Sequence, residues 1–136
     1  MGVLMLDLDH FNKVNDTHRY MARDDVLRNT AEIIQLQWLS DALGIRYGGE
    51  EFALLVPVAD VDGAYQTAQR ILGAISGHAF VSGTTIRLNC SIGLTVLAPD
   101  QELDSGLKCA DDALYHATES CRNRVAAKVG SGEMPV

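Results

Sequence analysis

The chain has 136 residues, 47% of them hydrophobic, and a formal net charge of −7. This length and composition predict a single soluble domain that is large enough to bury a core. The acidic balance argues against polymeric nucleic acid as a partner, because such binding depends on clustered lysine and arginine. A single nucleotide that arrives with its own cation remains compatible.

The sequence indicates neither a membrane anchor nor an oxidising compartment. No run approaches transmembrane length, and residues 1–9 lack the basic start and the cleavage pattern of a signal peptide. Cys109 and Cys121 lie roughly 18 Å apart along one predicted helix, which is too far for a disulfide. We therefore expect a cytoplasmic segment without membrane contact. Its cysteines, including Cys90, are expected to be buried, reduced thiols that form no metal cluster.

Apolar runs and helical stripes predict the element order β-α-α-β-β-α-β-α-β. The predicted strands cover, by residue number, about 2–8, 43–47, 50–57, 85–97 and 125–129. The predicted helices cover about 9–38, with a break near 19–23, then about 61–75 and 103–121. This order predicts an α+β fold of the ferredoxin-like, split βαβ type. Its sheet is expected to be mixed, mainly antiparallel, of about five strands and flanked by helices.

The end of the first strand is the first candidate for a metal ligand. An apolar run over residues 3–6 is typical of a strand that is covered on both faces, and it ends in Asp7-Leu8-Asp9. A carboxylate at such a position suits magnesium, which prefers oxygen donors and is usually held by one or two carboxylates plus substrate phosphates. The free backbone N–H groups at the start of the next helix suit phosphate oxygens.

The second candidate is a glycine pair, Gly48 and Gly49, which separates two apolar runs. A Gly-Gly pair flanked in this way predicts a two-residue hairpin turn. Glu50 and Glu51 follow at the tip of that hairpin. Bare backbone beside paired acids suits the close approach of a phosphate-bearing ligand and a hard cation.

Topology is expected to bring these two candidates together. A right-handed crossover makes the first two strands parallel, and the third strand returns between them. The C-terminal end of the first strand then lies beside the start of the third. The sequence therefore predicts that Asp7 and Glu50, although 43 positions apart, face one site.

Six short motifs occur along the chain. They are Asp7-Leu8-Asp9-x-Phe11, Asn15-Asp16, Gly48-Gly49-Glu50-Glu51-Phe52, Asn89-x-Ser91-Ile92-Gly93, Ala110-Asp111-x-Ala113-Leu114-Tyr115 and Arg122-Asn123-Arg124-Val125. In order and spacing they resemble the GGDEF domain, the diguanylate cyclase module, from about residue 3 to 129. The resemblance implies a nucleotide-cyclase-like fold at residues 1–130 and a flexible tail at 131–136. The helix and the Asp-x-Leu-Thr turn that usually precede the first strand of the family are not found before it.

The resemblance also implies a chemistry. Such domains condense two GTP molecules into cyclic di-GMP and release pyrophosphate. Each subunit of a dimer holds one GTP, and each 3′-hydroxyl attacks the α-phosphate of the other GTP. Magnesium, or manganese in its place, would be the cofactor, and a second GGDEF subunit the partner. The chain would be cytoplasmic, either alone or as the cytoplasmic part of a larger sensor protein.

Roles at the metal follow by the same resemblance. Asp7, the backbone carbonyl of Leu8 and Glu50 would bind magnesium. Glu50 or a nearby water would take the 3′-hydroxyl proton, and Glu51 would assist with a second ion. The structural alternatives are a solvated strand end for Asp7 and a supporting contact in the turn for Glu51. For Asp9 the sequence favours a helix cap over a second metal ligand.

Roles at the substrate are implied in the same way. Asn15 and Asp24 would contact the guanine edge, although a local backbone contact and a helix cap are the alternatives for them. Arg122 would contact the terminal phosphates, and the alternative is a favourable place at the end of a helix dipole. The other expected substrate-binding residues are Phe11, Asn12, Gly48 and Gly49.

Several positions depart from the family's pattern. Asn12 and Thr118 stand where the family has phosphate-contacting lysines, and Arg23 lies beside the expected guanine pocket. The family's Arg-x-x-Asp inhibition motif is absent at residues 39–42. These departures keep open a second function, a weakly active or non-catalytic module that binds GTP or cyclic di-GMP as a receptor. An unrelated adenylate-type cyclase is a third alternative, since fold does not fix substrate.

Overall fold

Two β-sheets and three helices form the described part of the chain. The structure is a computed structural model, and it describes residues 1–9, 25–37, 43–48, 51–58, 60–82, 84–120, 122–129 and 132–134. In chain order the elements are β1 (Gly2–Leu8), α1 (25–37), β2 (Leu43–Gly48), β3 (Glu51–Val56), α2 (Val61–Ser76), β4 (Ala79–Ser82), β5 (Thr84–Arg87), β6 (Cys90–Val96), α3 (Leu103–Glu119), β7 (Val125–Val129) and β8 (Gly132–Met134).

The main sheet has six strands in the order β2-β3-β1-β6-β7-β8. β3 pairs antiparallel with both β1 and β2, so β1 and β2 are parallel with β3 between them, as the sequence predicted. β6 pairs antiparallel with β1 and parallel with β7. The predicted α+β class with a mixed sheet is therefore confirmed, with one strand more than expected.

β1 is apolar along most of its length because helices cover both faces of the sheet. Leu4 and Leu6 belong to a large cluster that includes residues of α1 and α2. Val3 and Met5 belong to a second cluster with residues of α3. Side chains alternate along a strand, so Asp7 continues the second series and lies on the face that α3 covers.

α3 packs directly on β6 because small residues line its buried side. The small residues are Gly106, Cys109, Ala110, Ala113 and Ala117, and Leu114 is the large residue buried among them. A Cβ atom at Gly93 of β6 would collide with backbone atoms of Ala110 and Leu114, so only glycine permits this approach. Leu103 has the spacing that predicts a place in the buried stripe of this helix, but it is 44% exposed at the first turn of α3.

The strand predicted at 85–97 is in fact two strands. β5 pairs with β4 in a separate two-stranded sheet, whereas β6 joins the main sheet. Leu88 and Asn89 separate them, and the carbonyl of Asn89 accepts a hydrogen bond from the N–H of Asp9 at 2.9 Å. The β-branched composition is similar on both sides of this break, which is why the sequence did not reveal it.

The C-terminal residues and the first helix are the remaining parts of the chain that can be compared with the prediction. Residues 131–136 were expected to form a flexible tail, but Gly132–Met134 pairs antiparallel with β7 as the edge strand β8. The predicted first helix is helical at 25–37, and its earlier part lies outside the described residues. None of the helices in the described ranges has the length and the apolar character needed to cross a membrane.

Candidate active site

Two carboxylates lie opposite each other on neighbouring strands. Asp7, near the C-terminal end of β1, is the register partner of Glu51, the first residue of β3. Side chains of directly opposite residues share one face of an antiparallel pair, with Cβ atoms about 4.5–5.5 Å apart. The predicted approach of these two strand ends is therefore confirmed. Glu50, which the sequence paired with Asp7, lies outside the described residues.

A serine on the other side of β1 extends this row of polar side chains. Asp7 is also the register partner of Ser91 in β6. Ser91 is fully buried, and so is the Oδ1 atom of Asp7. The side chains of Glu51, Asp7 and Ser91 therefore follow one another across three adjacent strands, at the end of the face that α3 covers.

The thiol beside these acids stays protonated. Cys90 is the register partner of Leu8 and is fully buried. Burial raises the pKa of the Cys90 thiol far above its ordinary value, and the negative charges of Asp9 and Asp7 raise that pKa further. Cys90 belongs to the same core cluster as Leu4 and Leu6, on the face of the sheet opposite the Val3 and Met5 series that Asp7 continues, so Cys90 is a packing residue. Cys90 and Cys109 are both buried free thiols, as predicted.

Asp9 connects three segments that are far apart in the sequence. Its carboxylate is buried, with the residue 8% exposed. The hydroxyl of Ser91 donates a hydrogen bond to Oδ1 of Asp9 at 2.7 Å, and the backbone N–H of Asn123 donates to Oδ2 at 2.9 Å. The helix cap that the sequence favoured for Asp9 would involve residues outside the described part. The contacts that the structure does give its side chain are long-range.

Arg122 lies in a turn after α3 rather than in the last turn of the helix itself. α3 ends at Glu119, and the backbone N–H of Arg122 donates to the carbonyl of Ala117 at 3.1 Å. Arg122 and Asn123 have positive φ angles of 62° and 47°, a conformation that is uncommon for residues other than glycine. The Arg122 side chain is exposed, and no described residue accepts a hydrogen bond from its guanidinium group.

The described donors fit a hard divalent cation. Asp7 and Glu51 supply carboxylate oxygens at one end of the sheet, and Leu8 supplies a backbone carbonyl directly after Asp7. Magnesium prefers such oxygen donors and usually keeps several waters. Within the ranges that the structure describes, no three or more His, Cys, Asp or Glu side chains are grouped so that they could hold a metal ion by themselves.

Most of the other predicted site residues lie outside the described ranges, and Gly48 lies within them. Those outside the ranges are Phe11, Asn12, Asn15, Asp24, Gly49 and Glu50. Gly48 ends β2, where the register with β3 shifts between Arg46 and Gly48, an irregularity that suits a tight glycine turn. Thr118 donates its hydroxyl to the carbonyl of Tyr115 at 2.8 Å, so its side chain is engaged within α3.

Sequence reasoning missed the connection through Asp9. Ser91 is a small polar residue in a mostly apolar strand, and this was a local signal that a buried polar partner exists. Neither the identity of that partner nor the contact with Asn123 follows from any local pattern.

Comparison with known families and structures identifies what the chain is similar to. The family model described as "Diguanylate cyclase, GGDEF domain" matches residues 1–124. The response regulator PleD of Caulobacter vibrioides is 36% identical over 132 residues, which cover 94% of this chain and 29% of that protein. Diguanylate cyclase DgcP of Pseudomonas aeruginosa is 31% identical over 122 residues, which cover 89% of this chain and 18% of that protein. The chain thus spans less than a third of either relative.

Solved structures agree with the sequence matches. The GGDEF domain of DgcB from Caulobacter crescentus, solved in complex with c-di-GMP, superposes with a TM-score of 0.86 at 30% identity and covers 93% of this chain and 76% of that one. Diguanylate cyclase SiaD from Pseudomonas aeruginosa, solved with its activator SiaC, gives a TM-score of 0.89 at 30% identity, covering 93% of this chain and 49% of that one.

Proposed function

Because the chain belongs to the GGDEF family of diguanylate cyclase domains, we propose that it condenses two GTP molecules into cyclic di-GMP with release of pyrophosphate. The observation that carries the proposal is the placement of Asp7 opposite Glu51 at one end of the sheet. Topology alone brings these acids together from two separate motifs. The protein that contains this segment is proposed to act in the cytoplasm, where GTP is present and thiols remain reduced.

In the proposed mechanism the acids at the end of β1 and the start of β3 hold magnesium, or manganese in its place. Asp7, the Leu8 carbonyl and Glu50 are the proposed ligands, and Glu51 assists. When bound, the metal neutralises phosphate charge as the 3′-hydroxyl attacks the α-phosphate. Glu50 or a water next to it accepts the hydroxyl proton, and Cys90 remains a neutral neighbour that takes no proton.

The other residues position the substrate. Asn15 and Asp24 are proposed to bind the guanine edge, and Arg122 the terminal phosphates, as its exposed guanidinium group allows. Phe11, Asn12, Gly48 and Gly49 complete the proposed substrate contacts. Each subunit holds one GTP, so the reaction requires two subunits that face each other, and the rate should depend on protein concentration.

A decisive experiment incubates the protein with GTP and magnesium and detects cyclic di-GMP by mass spectrometry. We expect product from the wild type and none from Asp7→Asn, because the amide that replaces the carboxylate carries no charge to hold the cation. Asp100→Asn is the matched control, since Asp100 is exposed in the turn after β6, at the opposite end of the sheet. Full activity of Asp7→Asn would remove Asp7 from the site.

A second function is favoured by one observation at Thr118. This residue stands where the family has a lysine, and a threonine hydroxyl, which here donates to the carbonyl of Tyr115, carries no charge to replace that cation. A triphosphate site that lacks this charge is expected to bind more weakly. If the wild type binds GTP or cyclic di-GMP but forms no product even at high protein concentration, the receptor function is the correct one.

A further inference from the structure

Asp9 is a buried carboxylate whose contacts link the two ends of the proposed triphosphate site. It directly follows β1, two positions after Asp7. Its Oδ1 accepts a hydrogen bond from Ser91 in β6, and its Oδ2 accepts one from the backbone of Asn123, which is adjacent to Arg122. The contact with Asn123 spans 114 positions of sequence. One side chain therefore connects the strand that carries Asp7 with the turn that carries Arg122.

The turn that carries Arg122 needs such a connection. Two successive residues other than glycine have positive φ angles there, and such conformations persist only where surrounding contacts hold them. The backbone N–H of Arg122 is bound by α3, and the carbonyl of Arg124 accepts a hydrogen bond from the N–H of Ile92 at 2.9 Å. The bond from Asn123 to Asp9 is the contact that ties the turn to the end of β1.

We infer that Asp9 is a positioning residue, which holds the Arg122 turn at a fixed place relative to Asp7 so that metal and guanidinium group engage the same triphosphate. The inference rests on the proposed function, in which Arg122 binds the terminal phosphates of GTP. Both oxygens of Asp9 accept a hydrogen bond from the protein, which assigns this side chain to positioning, and the proposed metal ligands remain Asp7, Leu8 and Glu50. Its effect on the substrate passes through Arg122.

Binding measurements with 3′-deoxy-GTP and magnesium test this inference, because that nucleotide lacks the attacking hydroxyl and is not consumed. In Asp9→Ala we expect the affinity for 3′-deoxy-GTP to fall about tenfold, while the affinity for guanosine, followed by NMR titration, stays within about twofold. In an Arg122→Ala background, the further substitution Asp9→Ala should change the affinity for 3′-deoxy-GTP by less than about twofold.

The conservative variant Asp9→Asn provides the control. Its amide oxygen can accept the N–H of Asn123 and its amide nitrogen can donate to the hydroxyl of Ser91, so we expect affinity close to that of the wild type. Circular dichroism checks the folding of each variant. If Asp9→Ala does not fold, Ser91→Ala carries the test, with an expected loss of about threefold that again disappears in the Arg122→Ala background.

The outcomes separate the inference from the function on which it rests. Equal losses of affinity for 3′-deoxy-GTP and for guanosine in Asp9→Ala overturn the inference, because they would show a general effect on the fold. Losses of affinity from Asp9→Ala and Arg122→Ala that simply add overturn it as well, because Asp9 would then not act through Arg122. Unchanged binding by Asp9→Ala overturns it as well and leaves the proposed function intact. A wild type that binds no guanine nucleotide at all overturns the proposed function, and the inference with it.

Discussion

The substitution Gly93→Ala tests the close contact between α3 and β6. A Cβ atom at this position would lie 2.6 Å from the Cα of Leu114 and still closer to the backbone nitrogen of Leu114 and the carbonyl oxygen of Ala110. Ordinary carbon–carbon contacts are about 3.5–4.0 Å. Because the obstacles are backbone atoms, no side-chain rotation relieves the collision. The helix must retreat by about 1 Å, the difference between these distances.

The loss of folding free energy caused by that retreat depends on the packing between α3 and the sheet. The cluster of Val3, Met5, Ala53, Ala110 and Leu114 is at most 4% exposed, so any retreat opens a gap in closely packed core. Forced overpacking typically costs about 1–3 kcal/mol, and rigid backbone neighbours place this case near about 3 kcal/mol. Alanine recovers about 0.5–1 kcal/mol of backbone entropy relative to glycine. The net loss is therefore about 2 kcal/mol, or a melting temperature lower by about 8 °C at roughly 4 °C per kcal/mol.

Thermal unfolding followed by circular dichroism measures this effect, and Gly73→Ala is the matched control. Gly73 lies within α2, and a Cβ atom there would meet nothing within 4 Å. Alanine is favoured over glycine inside a helix by about 1 kcal/mol, so the control should raise the melting temperature by a few degrees. If Gly93→Ala were as stable as the wild type while the control behaved as expected, α3 could not pack on β6 as described.

Two further predictions concern buried groups. Thr95 has a buried hydroxyl without a hydrogen-bond partner within the described part of the chain, so Thr95→Val should be neutral or stabilise the protein by up to about 1 kcal/mol in urea unfolding. Thr30→Val is the control that should not stabilise, because the Thr30 hydroxyl donates to the carbonyl of Val26 at 2.7 Å. Burial and nearby carboxylates hold the pKa of Cys90 above its ordinary value of 9.0, so the folded state keeps a proton that the unfolded chain loses. Stability should therefore fall above about pH 9, by up to about 1.4 kcal/mol per pH unit, and Cys90→Ala should remove this part of the slope.

The sequence predicted the part of the site that depends on strand order. An apolar run that ends in Asp7, followed by a helix and a glycine hairpin, was enough to place β3 beside β1, and the register of Asp7 with Glu51 confirms that placement. The handedness of crossovers restricts such topologies to few alternatives. The strand neighbourhood at the proposed metal site thus follows from local patterns and one general rule.

The sequence could not predict contacts that depend on the final packing. Asp9 reads locally as a helix cap, whereas its hydrogen bonds reach Ser91 and Asn123, 82 and 114 positions away. The pairing of β4 with β5 was invisible for a similar reason, since composition alone does not show which of two sheets a β-branched run will join. Leu103 fits the helical stripe by spacing, yet its side chain at the first turn of α3 is exposed, and spacing alone does not show where the buried side of a helix begins.

The position of β1 in the sheet has a consequence for how the site responds to motion. β1 is hydrogen-bonded along its length on both sides, from Gly2 to Asp7 with β3 and from Gly2 to Leu8 with β6, whereas β2 lies at the sheet's edge. Amide exchange in β1 should accordingly require cooperative unfolding of the whole molecule, while β2 can detach in a smaller opening. A ligand that displaces the edge strand β2 would therefore leave the Asp7 carboxylate of the interior strand β1 in place.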